Sequence, residues 1–184
     1  AVLQVPLYAP GELAQRVLSL QQVCGERLLV GVGVGSTADA FAAEGREYAN
    51  RFDDFETGLA ELRDLMADGA GDGFALGPWP TAAGGPPILF GTWGKNVERA
   101  ATEFDGWIAS GAYRTPEQVA AAAERYRSAG GGRAIVSTIR MDAEIDLAGA
   151  EALLGSFADA GMDDAVMMFL PGGPTPEDVR RAFT

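Results

Sequence analysis

The stretch from Gly84 to Gly111, GGPPILFGTWGKNVERAATEFDGWIASG, leaves this chain few folds to choose from. An apolar strand (Pro87 to Phe90) ends in Gly91-Thr92-Trp93-Gly94 and runs into a helix, Lys95 to Thr102. A second strand, Gly106 to Ala109, follows and ends in Ser110-Gly111. Strand, turn, helix and strand in so short a span are one crossover between neighbouring parallel strands. The turn also places backbone N–H groups at the start of a helix, where peptide dipoles favour a phosphate.

The same alternation runs through the chain. Ala1 to Leu7 reads as a strand closed by Pro6 and Pro10. Leu13, Val17, Leu20 and Cys24 then recur at helical spacing, which predicts an amphipathic helix over Gly11 to Val23 and a buried Cys24 thiol. Leu28 to Val32 is a nearly all-apolar strand, as expected when both faces are covered. A short helical piece, Ala38 to Glu44, precedes the longest helix, Tyr48 to Met66, whose core stripe is Tyr48, Phe52, Phe55, Leu59, Leu62 and Met66. Ala67 to Gly85, rich in Gly, Ala and Pro and carrying Phe74 and Trp79, is a long connection expected to lie across a surface or a site.

Beyond the central unit, Thr115-Pro116-Glu117-Gln118 is a capping signal for a helix to about Ser128. Ala134 to Met141 is a strand, Asp146 to Ala160 a helix, and Ala165 to Leu170 the last strand. Thr175-Pro176-Glu177-Asp178 caps a final helix with Val179 and Phe183 on its inner side. Six strands, each followed by a helix, imply a parallel sheet in a single domain spanning residues 1–184.

Two architectures suit that count: an open doubly wound sheet, or a (β/α)8 TIM barrel lacking its first two βα units. The chain opens on Ala1 in the middle of a strand, and its glycine-rich strand ends come late. Both features favour the barrel and an upstream segment.

Bulk composition narrows function by exclusion. With 26 acidic against 14 basic residues the net charge is −12, which argues against nucleic acid and anionic membrane as partners. No apolar run is long enough for a transmembrane helix. The single cysteine fits a reducing, cytoplasmic setting.

The motifs exclude more than they assign. Gly31-Val32-Gly33-Val34-Gly35 has Ser36 where the dinucleotide fingerprint needs its third glycine. Gly91-Thr92-Trp93-Gly94-Lys95 fails the nucleotide-triphosphate loop for want of a Lys-Ser/Thr pair. There is no histidine, no metal-ligand spacing and no Gly-x-Ser-x-Gly elbow. Asp105 precedes a strand, at the end of a barrel that serves stability; Asp142 and Glu144 follow one and could reach the catalytic rim. With so few catalytic side chains, an enzyme of this sequence needs a cofactor to supply the chemistry.

Taken in order, several stretches resemble the luciferase-like flavin monooxygenases. They are Val2 to Leu7; Leu29 to Gly35 with Arg51 and the Leu59/Leu62 helix; Pro86 to Leu89 leading through Gly91 and Gly94; Arg99-Ala100-Ala101; and Asp105 to Ile108 leading to Ser110-Gly111. The resemblance implies a (β/α)8 barrel that uses reduced FMN with O2, or exchanges a hydride with coenzyme F420, on a small organic substrate. It implies a phosphate held by Gly91, Thr92, Trp93 and Gly94 together with Ser110 and Gly111. The isoalloxazine would lean on a non-proline cis peptide at or beside Ala1-Val2, with Val34 and Gly35 approaching the ring or its side chain. Homodimers are common in that family. Two departures stand out: the family's first two strands are not in this sequence, and Ala67 to Gly85 is shorter than its usual insertion. They leave a second expectation, a flavin-binding or oligomerising barrel protein without turnover.

Overall fold

The computed structural model describes residues 2–71, 74–76 and 83–182. Ala1, Trp79 and Phe183, each given a role above, lie outside the described residues. The fold is α/β, built on a six-stranded, all-parallel sheet. Its strands are β1 (Leu3–Gln4), β2 (Val30–Gly33), β5 (Ile88–Gly91), β6 (Gly106–Ser110), β7 (Arg133–Met141) and β8 (Asp164–Phe169). They lie in the sheet in chain order, without a reversal. An open doubly wound sheet needs such a reversal to make its switch point; this order lacks one and is consistent with part of a barrel. By contacts the described chain divides into two compact units, Val2–Ile88 and Leu89 onward.

In the first unit β1 pairs with β2, Leu3 opposite Val32, and the Val30 N–H donates to the Pro87 carbonyl at 3.0 Å. Helices α1 (Pro10–Cys24), α2 (Ala38–Ala43) and α3 (Arg51–Asp68) belong to it. The expected strand to Leu7 stops at Gln4, and Val5–Leu7 forms a 3-10 turn. Pro6 explains this, since it has no N–H for a ladder and a φ suited to a helical turn.

The two apolar stripes are also rotated from expectation. On α3 the buried arc is Phe55, Gly58, Leu59, Leu62, Leu65 and Met66, which leaves Phe52 at its margin and 51% exposed. Gly58 lets α3 approach the 3-10 turn, for a Cβ there would stand 3.0 Å from Val5 Cγ1. On α1 the arc is Leu13, Ala14, Val17 and Leu18, so Leu20 is exposed and Cys24 only half-buried. The connection after α3 is not structureless: two-residue strands β3 (Ala70–Gly71) and β4 (Phe74–Ala75) pair antiparallel within it.

The second unit follows the sequence closely. Helix α4 (Val97–Glu103) connects β5 to β6, α5 (Pro116–Ser128) connects β6 to β7, and α6 (Leu147–Asp159) connects β7 to β8. Helix α7 (Pro176–Ala182) follows β8, with Val179 buried. Thr115 and Gln118 form the anticipated capping box on α5, and Asp146 caps α6 through the Gly149 N–H. Strand β6 sits centrally and is nearly fully buried: Trp107 and Ala109 are 0% exposed. Gly106 lets it approach its neighbours, because a Cβ would meet the Arg133 carbonyl at 2.7 Å and Leu89 Cγ at 2.8 Å.

Candidate functional site

In the second unit, the C-terminal ends of β5 to β8 lie side by side, and β5 and β6 carry most of the candidate phosphate residues. Parallel pairing of Gly91 with Ile108 brings the Gly91–Gly94 turn and Ser110-Gly111 to the same rim. The turn does not run straight into a helix. Gly94–Asn96 first makes one 3-10 turn, and α4 then spans seven residues, so its macrodipole is small. Local donors matter more here. Trp93 and Gly94 lead into the 3-10 turn, where the opening N–H groups lack intrahelical partners. No hydrogen bond among the described residues takes them up. Gly94 has φ of +69°, and nothing lies within 4 Å of where its Cβ would be, so the space beside the turn is open.

The turn is anchored through an aromatic column. The indole Nε1–H of buried Trp107 donates to the Thr92 carbonyl at 3.0 Å. Trp107 lies 5.5 Å from the ring of Tyr126 and 6.0 Å from that of Trp93. The guanidinium of Arg114 lies 4.8 Å from the Trp93 ring centroid, and its Nη1 donates to the Tyr113 carbonyl at 3.0 Å. From the other side Arg125 donates to the Gly94 carbonyl at 3.3 Å and to Glu98 at 2.8 Å.

Ser110-Gly111 contributes differently from an open nest of amides. The Gly111 N–H donates to the Ser137 carbonyl at 2.7 Å, and a Cβ on Gly111 would meet Ile139 Cγ1 at 2.9 Å. That amide is committed to the sheet, which leaves the Ser110 hydroxyl as the group available for a ligand. Ser137 sits at a β-bulge that sequence reasoning missed. Val136 to Ile139 spans three steps on β7 against two on β8, and Thr138 takes φ of +62°. A β-branched residue in the left-handed region is strained, by about 1–3 kcal/mol, and such strain clusters at functional sites. Ser137, 6% exposed, places its Oγ 3.3 Å from the Ala109 carbonyl and 3.4 Å from Thr138 Oγ1. The adjacent Ser-Thr pair between the apolar Ala134–Val136 and Ile139 of this strand was the available signal.

The two loop acids do structural work. Asp142 accepts from Arg140 at 3.3 Å and from the Glu144 N–H at 3.2 Å, forming a turn after β7. Glu144 faces an open groove of about 560 Å³ between the loops after β7 and β8, which Asp146 and Gly173 also line. Among the described residues no cluster of His, Cys, Asp or Glu could hold a metal ion. Among them, too, no helix is long and apolar enough to cross a membrane.

The first unit holds Val34 and Gly35 just past the end of β2. Gly35 has φ of +83°, and a Cβ there would meet Phe41 Cε2 at 2.7 Å and Gln4 Oε1 at 2.8 Å. Its closest neighbours are therefore the protein's own side chains. Gln4 Oε1 is buried and has no hydrogen-bond partner among the described residues, an acceptor left open beside Gly35. Tyr48 hydroxyl donates to the Ser36 carbonyl at 3.2 Å, and Arg51 lies 3.9 Å from the Tyr48 ring centroid. No cis peptide occurs among the described residues, and the Ala1–Val2 bond lies outside them.

Comparison with known proteins places this geometry. Solved structures of similar fold include apo-MsnO8, with a TM-score of 0.70 and 20% identity over 99% of this chain and 74% of that one. The monooxygenase RslO1 from Streptomyces bottropensis gives 0.66 and 22%, over 98% and 73%. The oxygenating constituent of 3,6-diketocamphane monooxygenase from Pseudomonas putida, solved with FMN, gives 0.58 and 18%, over 88% and 59%. At these identities the likeness is one of fold. No curated protein matches the sequence. The family model for luciferase-like monooxygenases matches residues 1–144, most of the sequence, and on that match the chain belongs to the luciferase-like monooxygenase family.

Proposed function

We propose that this chain is the greater part of a flavin-dependent monooxygenase that binds FMN, with its phosphate at the Gly91–Gly94 turn and beside Ser110. The observation that carries the assignment is the turn itself: open space at Gly94, N–H groups of Trp93 and Gly94 uncommitted among the described residues, and an arginine stacked alongside. Those donors suit a phosphate monoester, and the orphaned Gln4 Oε1 suits an N–H donor such as a flavin ring carries. The presence of FMN in a solved protein of similar fold favours it over coenzyme F420.

Bound and reduced, FMN would supply the two electrons with which one atom of O2 enters a small organic substrate while the other leaves as water. The protein's own part is to bind, orient and exclude water. Trp93, Gly94 and Ser110 would hold the phosphate; the Trp107–Thr92 hydrogen bond keeps the turn in place. In the first unit, Val34, Gly35 and the Gln4 amide are the candidates for contact with a flavin ring.

We further propose that the sheet is part of a (β/α)8 barrel that needs two more βα units. Strand β8 supports this: it is apolar, yet Val166 and Met168 are 43% and 38% exposed at the sheet's edge. Titration of FMN, riboflavin and F420 into the apoprotein tests the cofactor, read by flavin fluorescence and absorbance. Wild type should take FMN most tightly, and Gly94→Ala should weaken FMN more than riboflavin. No binding of any of the three would end the flavin assignment. Flavin binding without substrate-dependent oxidation of reduced FMN would leave a non-catalytic binding protein.

A further inference from the structure

Arg114 is conspicuous in so acidic a chain. Among the described residues, most arginines near the sheet ends are paired with a carboxylate: Arg99 with Glu103, Arg125 with Glu98, Arg127 with Asp163, Arg133 with Asp164 and Arg140 with Asp142. Arg114 makes no ion pair among the described residues, although it is half-buried. Its position is nonetheless fixed. The guanidinium stacks on Trp93, Trp93 adjoins Trp107, and Trp107 lies fully buried against Tyr126. One N–H is used on the Tyr113 carbonyl, which leaves four of the five donors.

We propose that Arg114 is the specificity-determining residue for the phosphate, reading a phosphate monoester dianion and thereby selecting FMN over riboflavin. The inference rests on the flavin assignment above and adds a residue to it. A planar guanidinium held by stacking loses little freedom when it forms paired hydrogen bonds to phosphate oxygens. With no carboxylate partner among the described residues, no ion pair there must break first. Trp93 links the two functions, because its backbone opens the turn while its ring carries the arginine.

The test is a matrix of dissociation constants for FMN and riboflavin, at low and high salt, on wild type, Arg114→Met, Arg114→Lys and Lys95→Met, each checked for fold by circular dichroism. Lys95 is exposed on the same turn and serves as the charge control. Arg114→Met should weaken FMN about ten- to a hundredfold and leave riboflavin within about twofold. Arg114→Lys should recover part of the loss, Lys95→Met should change the FMN-to-riboflavin ratio by less than about twofold, and added salt should weaken FMN binding less in Arg114→Met than in wild type. Equal loss for both ligands would make Arg114 a mere prop for Trp93 and overturn the proposal. So would an equal effect of Lys95→Met, or wild type binding the two flavins equally; each leaves the flavin assignment standing. Wild type binding neither flavin would overturn both.

Discussion

Trp107→Phe probes the column that joins the buried sheet to the glycine turn. Trp107 is 0% exposed, donates to the Thr92 carbonyl at 3.0 Å and packs between Trp93 and Tyr126. Phenylalanine keeps an aromatic ring but deletes the donor and part of the bulk. The lost bulk, roughly 40 Å³ at about 24 cal/mol per Å³ of cavity, costs about 1 kcal/mol. The abandoned carbonyl costs about 1–2 kcal/mol, toward the low end because Thr92 is half-buried and water can reach it. The total is about 2–3 kcal/mol, or a fall of roughly 4–12 °C in Tm for a chain of this length. Urea unfolding followed by far-UV circular dichroism measures it, with an unchanged slope m showing that the native state stays compact. Trp93→Phe is the control. Trp93 is half-buried and donates no indole hydrogen bond among the described residues, so its replacement should cost under about 1 kcal/mol. A loss below about 0.5 kcal/mol for Trp107→Phe, or equal losses for the two variants, would refute the hydrogen-bonded column.

Three further outcomes follow from the second unit. Gly106→Ala should destabilise by about 1–3 kcal/mol by overpacking, since its Cβ would meet the Arg133 carbonyl at 2.7 Å; a Tm within about 2 °C of wild type would contradict the close approach. Burial raises the Asp163 carboxyl, but the Ala134 N–H and the Arg127 guanidinium outweigh it and hold the pKa below its ordinary value. The depressed folded value means the stabilisation is present above about pH 4 and is lost as pH falls through the folded pKa, so Asp163→Asn should flatten the acid limb of the stability curve. Burial raises the Tyr126 phenol, which donates to the Arg133 carbonyl at 3.1 Å. Its stabilisation is therefore complete below pH about 10 and is lost as pH rises beyond, and Tyr126→Phe should be less stable at neutral pH yet lose less above pH 10.

Much of the fold could be read in advance because it is written in local signals. The Thr115–Gln118 capping box and the Thr175 cap were both legible, and each rests on a side chain bonding within three residues of itself. Strand order was only half legible. Alternation of strand and helix requires parallel pairing, but whether the order reverses depends on where helices pack, which no single segment encodes. The rotated stripes of α1 and α3 have the same origin. Periodicity found the helices, while small residues set the angle: Ala14 and Gly58 are buried because they allow close approach, and so Leu20 and Phe52 turn outward.

The site divides along the same line. The Gly91–Gly94 turn was legible because glycine announces a backbone need that is local, here φ of +69° at Gly94. Ser110-Gly111 carries a second reason for its glycine, since glycine can also mark contact with a distant strand. Gly111 is small because Ile139 lies beneath it, and its N–H is tied to Ser137 at the bulge. The bulge is a tertiary event: one extra residue on β7 is defined only against β8, and Thr138 tolerates a positive φ only because both strands are held in register on either side. Arg114 was invisible for a related reason, since an arginine in sequence does not disclose whether an acid will meet it. What makes it conspicuous is a neighbourhood in which the other arginines have found their acids while this one lies on an indole beside an open turn. A guanidinium held on an indole, with no acid partner among the described residues, is ready for an anion that those residues do not provide.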